Sequence, residues 1–107
     1  MYDTSEGILP LLEGHDYDKV RKGLVSLAVE KVLLDIGSRT LYKVNDELKK
    51  RYQCYLPDCY DHPEYLSAIL KDLYGVSYKQ VSKSINKQLE DFSYHEPIAR
   101  FLKVICQ

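Results

Sequence analysis

The sequence contains no tryptophan, one methionine, three cysteines, four prolines and five glycines in 107 residues. So little proline and glycine, beside 45% hydrophobic residues, excludes a collagenous or low-complexity chain and predicts one globular domain. Long hydrophobic runs are also missing. The longest apolar stretch, 24–36, is interrupted by four polar residues, Ser26, Glu30, Lys31 and Asp35. No segment approaches the roughly 20 apolar residues that cross a bilayer, so we expect no contact with membranes.

Acidic and basic residues nearly balance over the whole chain, but they are unevenly distributed along it. The net charge is −1, yet residues 1–18 hold five acids and no lysine or arginine, so all 15 basic residues follow them. We therefore predict an acidic arm over 1–16 and a single helical domain over 17–107. The arm lacks the basic start and apolar core of a secretion signal, which favours a cytoplasmic protein.

Apolar residues recur at intervals of three and four in five segments, and none alternates as a strand would. This pattern predicts an all-α fold, a compact bundle of about five helices. The predicted helices span 17–36, 39–52, 62–74, 78–92 and 97–105, with an ordered loop over 53–61 and a turn or short helix over 8–12. There is no internal repeat and no heptad run. In the first helix we expect six residues to face the core: Val20, Leu24, Leu27, Ala28, Val32 and Ile36. In the fourth helix we expect Val81, Ile85, Leu89 and Phe92 to line the inner side, and in the fifth Ile98, Phe101, Leu102 and Ile105.

Two capping boxes mark the starts of the third and fourth helices. Asp61 precedes Pro63 and Glu64, and Ser77 stands three residues before Gln80. Between the two helices, Gly75 is expected to take a positive φ, which only glycine adopts readily. A helix, a tight turn and a second helix are the parts of a helix-turn-helix, here at about 64–90.

The segment from Gly75 to Lys87 resembles the helix-turn-helix of lac repressor-family DNA-binding domains. The resemblance rests on the Gly-Val-Ser turn, on Tyr78 opening the second helix, and on Val81 and Ile85 packing inward. It implies binding to double-stranded DNA. The residues implied to approach base edges are Tyr78, Lys79 and Lys83, with Ser77 and Lys87 nearer the phosphates. Lys71 stands where the family has alanine, so its side chain must point outward.

The lysines of this second helix support the same interpretation independently. Lys79, Lys83 and Lys87 recur every four residues, on the side of the helix away from Val81 and Ile85. A helix with one apolar and one basic face suits the major groove of DNA. Lys50 and Arg51 could add phosphate contacts, and a homodimer is expected because one chain offers one such motif.

A second constellation comprises Cys54, Cys59 and His62. Two thiolates and an imidazole could supply three zinc ligands, with His15, His95, Cys106 or a carboxylate as the fourth. Structural zinc sites normally present two paired ligands on each side, and no second pair exists here. We therefore expect free thiols used in packing and no cofactor or metal.

Tyrosine accounts for ten of the twelve aromatic residues, and four tyrosines surround the loop that holds the cysteines: Tyr52, Tyr55, Tyr60 and Tyr65. They could pin the loop to the bundle or form a contact surface for another protein. The sequence has no glycine-rich phosphate loop and no nucleophile-base spacing, so we expect no enzyme. The leading prediction is a small DNA-binding regulator. The alternative is a non-enzymatic protein-interaction or dimerisation module.

Overall fold

The computed structural model describes residues 15–107, and every regular element in that range is helical. The α-helices are α1 (His15–Ile36), α2 (Ser38–Tyr52), α3 (Pro63–Tyr74), α4 (Tyr78–Leu89) and α5 (Glu96–Ile105). Short 3-10 helices occupy Leu56–Tyr60, Gly75–Ser77 and Glu90–Phe92. The predicted all-α class is confirmed, and the predicted loop over 53–61 is organised by the first 3-10 helix.

The acidic arm predicted over 1–16 lies outside the described residues except for its last two positions. There the backbone of His15 and Asp16 already forms the start of α1, two residues before the predicted helix start. The turn or short helix predicted over 8–12 also lies outside the described part of the chain.

The core is built by all five α-helices together. Its largest fully buried side chains include Leu33 from α1, Leu48 from α2, Leu66 from α3, Ile85 from α4 and Phe101 from α5. In α5 all four residues predicted to face inward are buried, Ile98, Phe101, Leu102 and Ile105. Phe92, predicted to face the core, is 36% exposed, because α4 ends at Leu89 and the following 3-10 turn redirects the chain.

The first helix, α1, presents a different side to the core than the sequence predicts. Its buried residues are Val25, Ala28, Val29, Val32 and Leu33, whereas Val20 and Leu27 are 59% and 63% exposed. The prediction was right for Ala28 and Val32, and Leu24 is partly buried against the core, but it was wrong for Val20, Leu27 and Ile36. The reason is that α1 carries apolar residues on opposite sides, so spacing alone permits two buried faces.

Polar contacts fix α1 to the 3-10 helix Leu56–Tyr60. The Tyr60 hydroxyl donates to Asp18 Oδ1 at 2.7 Å and accepts from Arg21 Nε at 3.3 Å. Lys22 Nζ lies 3.5 Å from Asp61 Oδ2. These contacts join segments about forty residues apart, and burial raises the pKa of Tyr60, with the hydrogen bond to Asp18 acting in the same direction. Tyr60 is therefore a structural residue.

Neither predicted capping box forms within the described chain. Asp61 ends the preceding 3-10 helix, and the residue that precedes α3 is His62, whose side chain makes no cap hydrogen bond. Ser77 has φ −76° and ψ −5°, which places it inside a helical turn instead of at an extended cap. Short 3-10 segments run directly into both sites, and they remove the extended geometry that a side-chain cap needs.

Candidate nucleic-acid interface

The turn between α3 and α4 has the glycine geometry that the sequence predicts. Gly75 has φ +53° and ψ −119°, a conformation that residues with a Cβ atom rarely adopt. Its amide donates to the Lys71 carbonyl and so ends α3, and the next two residues complete one 3-10 turn. Val76 is 97% exposed at the tip of this turn. The connection between the helices is therefore short and fixed by the backbone.

Tyr78 opens α4 and is buried, with 6% of its surface exposed. Its hydroxyl donates to the Ile105 carbonyl at the end of α5, so the Ser67 hydroxyl, 3.1 Å away, must donate to Tyr78. Burial raises the pKa of Tyr78. The implied contact of Tyr78 with a base edge is therefore wrong, because the ring fastens α4 to α3 and α5.

A local signal for this burial was present in the sequence. Tyr78 stands three residues before Val81 and seven before Ile85, which places it on the same side of α4 as those two residues. The ammonium of Lys71 lies 5.3 Å from the centre of the Tyr78 ring, within the range of a cation–π contact. Lys71 itself is exposed, so its side chain does point outward, as expected.

The three lysines of α4 lie on its solvent side. Lys79, Lys83 and Lys87 are all exposed, and each is separated from the next by about 6 Å of helix rise. The other exposed residues of α4 are uncharged: Gln80, Ser84 and Gln88. No acidic residue occurs anywhere in α4, and among the side chains that the structure describes, 17–107, none forms an ion pair with these three lysines. The exposed face of α4 is therefore uniformly positive or neutral.

An open depression of about 240 Å³ adjoins this face where α4 meets the end of α5. It is lined by Lys79, Ser82, Lys83, Asn86 and Cys106. The Ser82 hydroxyl is turned back onto the Lys79 carbonyl at 3.1 Å. Ser77, the remaining residue of the predicted site, is exposed in the turn that precedes α4. The fold thus exposes four of the five predicted residues and buries Tyr78, and Ser77 lines a separate depression with Ile36, Gln80 and Ser84.

Lys50 and Arg51, expected as further phosphate contacts, are engaged by acids. Lys50 Nζ lies 3.0 Å from Asp46 Oδ2, and Arg51 contacts Glu47 Oε1 at 2.8 Å and Asp72 Oδ2 at 2.6 Å. Hydrogen bonds to these carboxylates raise the pKa of both cations. Their charge is already compensated locally, so the structure does not favour phosphate contacts here.

The thiols and the imidazole of the loop do not form a metal centre. Across residues 15–107, no group of three or more His, Cys, Asp or Glu side chains is placed to hold a metal ion. Cys59 is 2% exposed, and burial raises its pKa to about 12, which disfavours the thiolate that metal ligation needs. Cys54 and Cys106 are also free thiols.

Two of the four tyrosines around the loop pack on each other. The Tyr52 and Tyr65 rings stack with their centroids 4.0 Å apart. The His62 ring also stacks on Tyr65, with a centroid distance of 4.7 Å. Tyr60 is buried, so its predicted place in a protein-binding surface is wrong, and Tyr55 is 66% exposed. The stacked rings hold the start of α3 against the end of α2.

Comparisons with protein-family models, curated proteins and solved structures find no match for this chain. Within the described residues, the search for a helix both long enough and apolar enough to cross a membrane is negative.

Proposed function

We propose that this protein is a small cytoplasmic regulator that binds double-stranded DNA through the exposed face of α4. The observation that supports this most directly is the row of exposed lysines, Lys79, Lys83 and Lys87, on a helix that contains no acidic residue. Three cations aligned along one helix suit the phosphate groups that flank a major groove, which is wide enough to admit an α-helix. The protein acts by binding and carries out no catalysis.

The arrangement of α3, the turn at Gly75 and α4 serves this function as a helix-turn-helix. In this arrangement Tyr78 is the anchor that orients α4, and Lys79 and Lys83 are the residues that reach the groove. Ser77 and Lys87 lie at the two ends of the exposed face, where they meet the phosphates. A homodimer would present two α4 helices to successive turns of the duplex.

Salt dependence of DNA binding tests the proposal. Each phosphate contact contributes about −0.9 to the slope of log affinity against log salt, so the three lysines of one chain predict about 40-fold weaker binding at 200 mM than at 50 mM salt, and the six of a homodimer about 1,800-fold. Fluorescence anisotropy of a labelled duplex titrated with the full-length chain measures both affinities. Lys83→Ala should weaken binding and reduce the salt effect to about 12-fold for one bound chain, or about 150-fold for a homodimer, because one contact is lost per chain.

Lys50→Ala is the matched control. It removes the same charge from a lysine that is paired with Asp46 and lies outside α4, so the affinity and its salt dependence should stay unchanged. Two results would contradict the proposal: no binding to the duplex at low salt, or equal weakening by Lys83→Ala and Lys50→Ala.

A further inference from the structure

A second group of cations lies at the corner where α1 passes into α2. Arg39 and Lys43 are both exposed, and because they are four residues apart they lie on the same side of α2. They line a depression of about 250 Å³ together with Thr40, Leu73 and Tyr74. This depression lies between the start of α2 and the end of α3, so the two cations stand beside the turn that leads into α4. We call Arg39 and Lys43 the corner pair.

The corner pair has no acidic partner among the described side chains. Neither residue forms an ion pair there, in contrast to Lys50 and Arg51 further along α2. The first turn of α2 contains no acidic residue. Asp35, the nearest acid in the sequence, is exposed in the last turn of α1 and pairs with neither cation. Within the described part of the chain, the charge of the corner pair is therefore uncompensated.

Tyr74 connects the corner pair with the exposed side of α4. Besides the depression at the corner pair, Tyr74 lines a second depression, of about 340 Å³, whose other lining residues include Ile36, Ser77, Gln80 and Ser84. None of the described residues that line either depression is acidic. The two depressions adjoin at Tyr74, so the surface leads from α4 to the corner pair without passing an acid.

The two flanks of α4 carry different side chains. Lys79 and Lys83 line the depression on the flank beside the end of α5. Gln80 and Ser84 line the depression on the flank beside the end of α1. Each of these two uncharged residues lies about 100° around the helix from the lysine that precedes it. The corner pair therefore lies on the flank of α4 opposite to the one beside α5.

A DNA duplex presents phosphates to both flanks of a helix that enters its major groove. The groove is about 12 Å wide, and an α-helix with its side chains is about 10–12 Å across. The phosphate rows of the two strands therefore lie beside opposite flanks of the inserted helix. The α4 lysines supply positive charge for one row only, and the corner pair supplies it on the other flank.

We propose that the corner pair binds phosphates of the DNA strand opposite to the strand that the α4 lysines contact. Arg39 suits this role because a guanidinium group donates two parallel hydrogen bonds to phosphate oxygens. The inference rests on the proposed function, since it needs α4 in the major groove. It adds a second binding surface, from α2, to the contacts proposed for α4.

Titration of a labelled duplex with the full-length chain tests the corner pair. The double variant Arg39→Gln/Lys43→Gln removes both charges at exposed positions, so it should fold with an unchanged Tm. Its binding should be weaker than that of the wild type. Two contacts are lost in addition to those of the α4 lysines, so the loss of affinity between 50 mM and 200 mM salt should be about 12-fold smaller for each bound chain.

The double variant Lys19→Gln/Lys49→Gln is the matched control. It also removes two positive charges from exposed positions. Lys19 lies about 25 Å of helix from the end of α1, and Lys49 lies about 15 Å of helix from Arg39. This variant should bind the duplex as the wild type does. Equal weakening by the two double variants would overturn the proposal, because it would show a general effect of net charge.

A single-stranded oligonucleotide of the same sequence tests the opposite-strand arrangement. It presents one row of phosphates, so Arg39→Gln/Lys43→Gln should lose much more affinity for the duplex than for the single strand. Equal losses on both would overturn the arrangement. If this variant binds the duplex as the wild type does while Lys83→Ala is weakened, the corner pair is overturned and the proposed function stands. A wild type that binds no duplex at low salt overturns both.

Discussion

Replacing Tyr78 by phenylalanine tests whether Tyr78 anchors α4 in the core or contacts DNA. The substitution keeps the ring in the core and removes only the hydroxyl that bridges Ile105 and Ser67. The Ile105 carbonyl is among the last carbonyls of α5, which have no partner within the helix. Without the tyrosine hydroxyl, this carbonyl and the Ser67 hydroxyl both lose a buried partner.

The expected loss of stability is about 2 kcal/mol, since a buried group left without its hydrogen-bond partner costs about 1–3 kcal/mol. For a domain of about 100 residues, this corresponds to a decrease of about 8 °C in Tm. Circular dichroism during thermal unfolding measures the change. Tyr42→Phe is the control, because Tyr42 is 74% exposed and its hydroxyl should contribute nothing measurable.

The DNA affinity of Tyr78→Phe completes the test. At a temperature where the variant is folded, its affinity for the duplex should equal that of the wild type, because the hydroxyl points into the core. A variant that keeps the wild-type Tm but loses affinity would refute the anchoring role and restore Tyr78 to the DNA interface.

Two further predictions concern the turn and the buried thiol. Gly75→Val should destabilise the protein by at least about 1 kcal/mol, because φ +53° strains any residue with a Cβ atom; an unchanged Tm would reject this geometry. Cys59 should stay unreactive towards a thiol reagent until the protein unfolds, whereas the exposed Cys106 should react at once. Since the pKa of Cys59 is raised to about 12, its thiol ionises first in the unfolded state. The contribution of the buried thiol to the free energy of unfolding is complete below about pH 9. It falls between pH 9 and 12 by up to about 1.4 kcal/mol per pH unit. The slope in urea unfolding should be smaller in Cys59→Ala, where Tyr60 and Tyr78 still contribute to it, and an identical slope in both proteins would contradict this reasoning.

The sequence predicts α5 residue by residue because its apolar positions lie on a single side. It fails for α1, where two apolar sides compete and the choice between them depends on contacts with α2 and α4. In α4 it places Lys79, Lys83 and Lys87 correctly in solvent, since opposite sides of that helix differ sharply in polarity. It misplaces Tyr78 because the resemblance assigns this residue a DNA contact, although its spacing to Val81 and Ile85 indicates the buried side. The hydrogen-bond partners that settle its position lie 11 residues earlier and 27 residues later in the chain.

The bond between Tyr78 and Ile105 has a consequence for the order in which the protein is assembled during synthesis. Helices α1, α2 and α3 precede α4 in the chain, so their mutual contacts can form as soon as they emerge from the ribosome. The orientation of α4 is completed only by a carbonyl of α5, which is translated later. A nascent chain that has not yet released α5 would therefore carry the lysine row without the anchor that positions it. The surface that we propose for DNA binding should therefore be completed as the last step of folding.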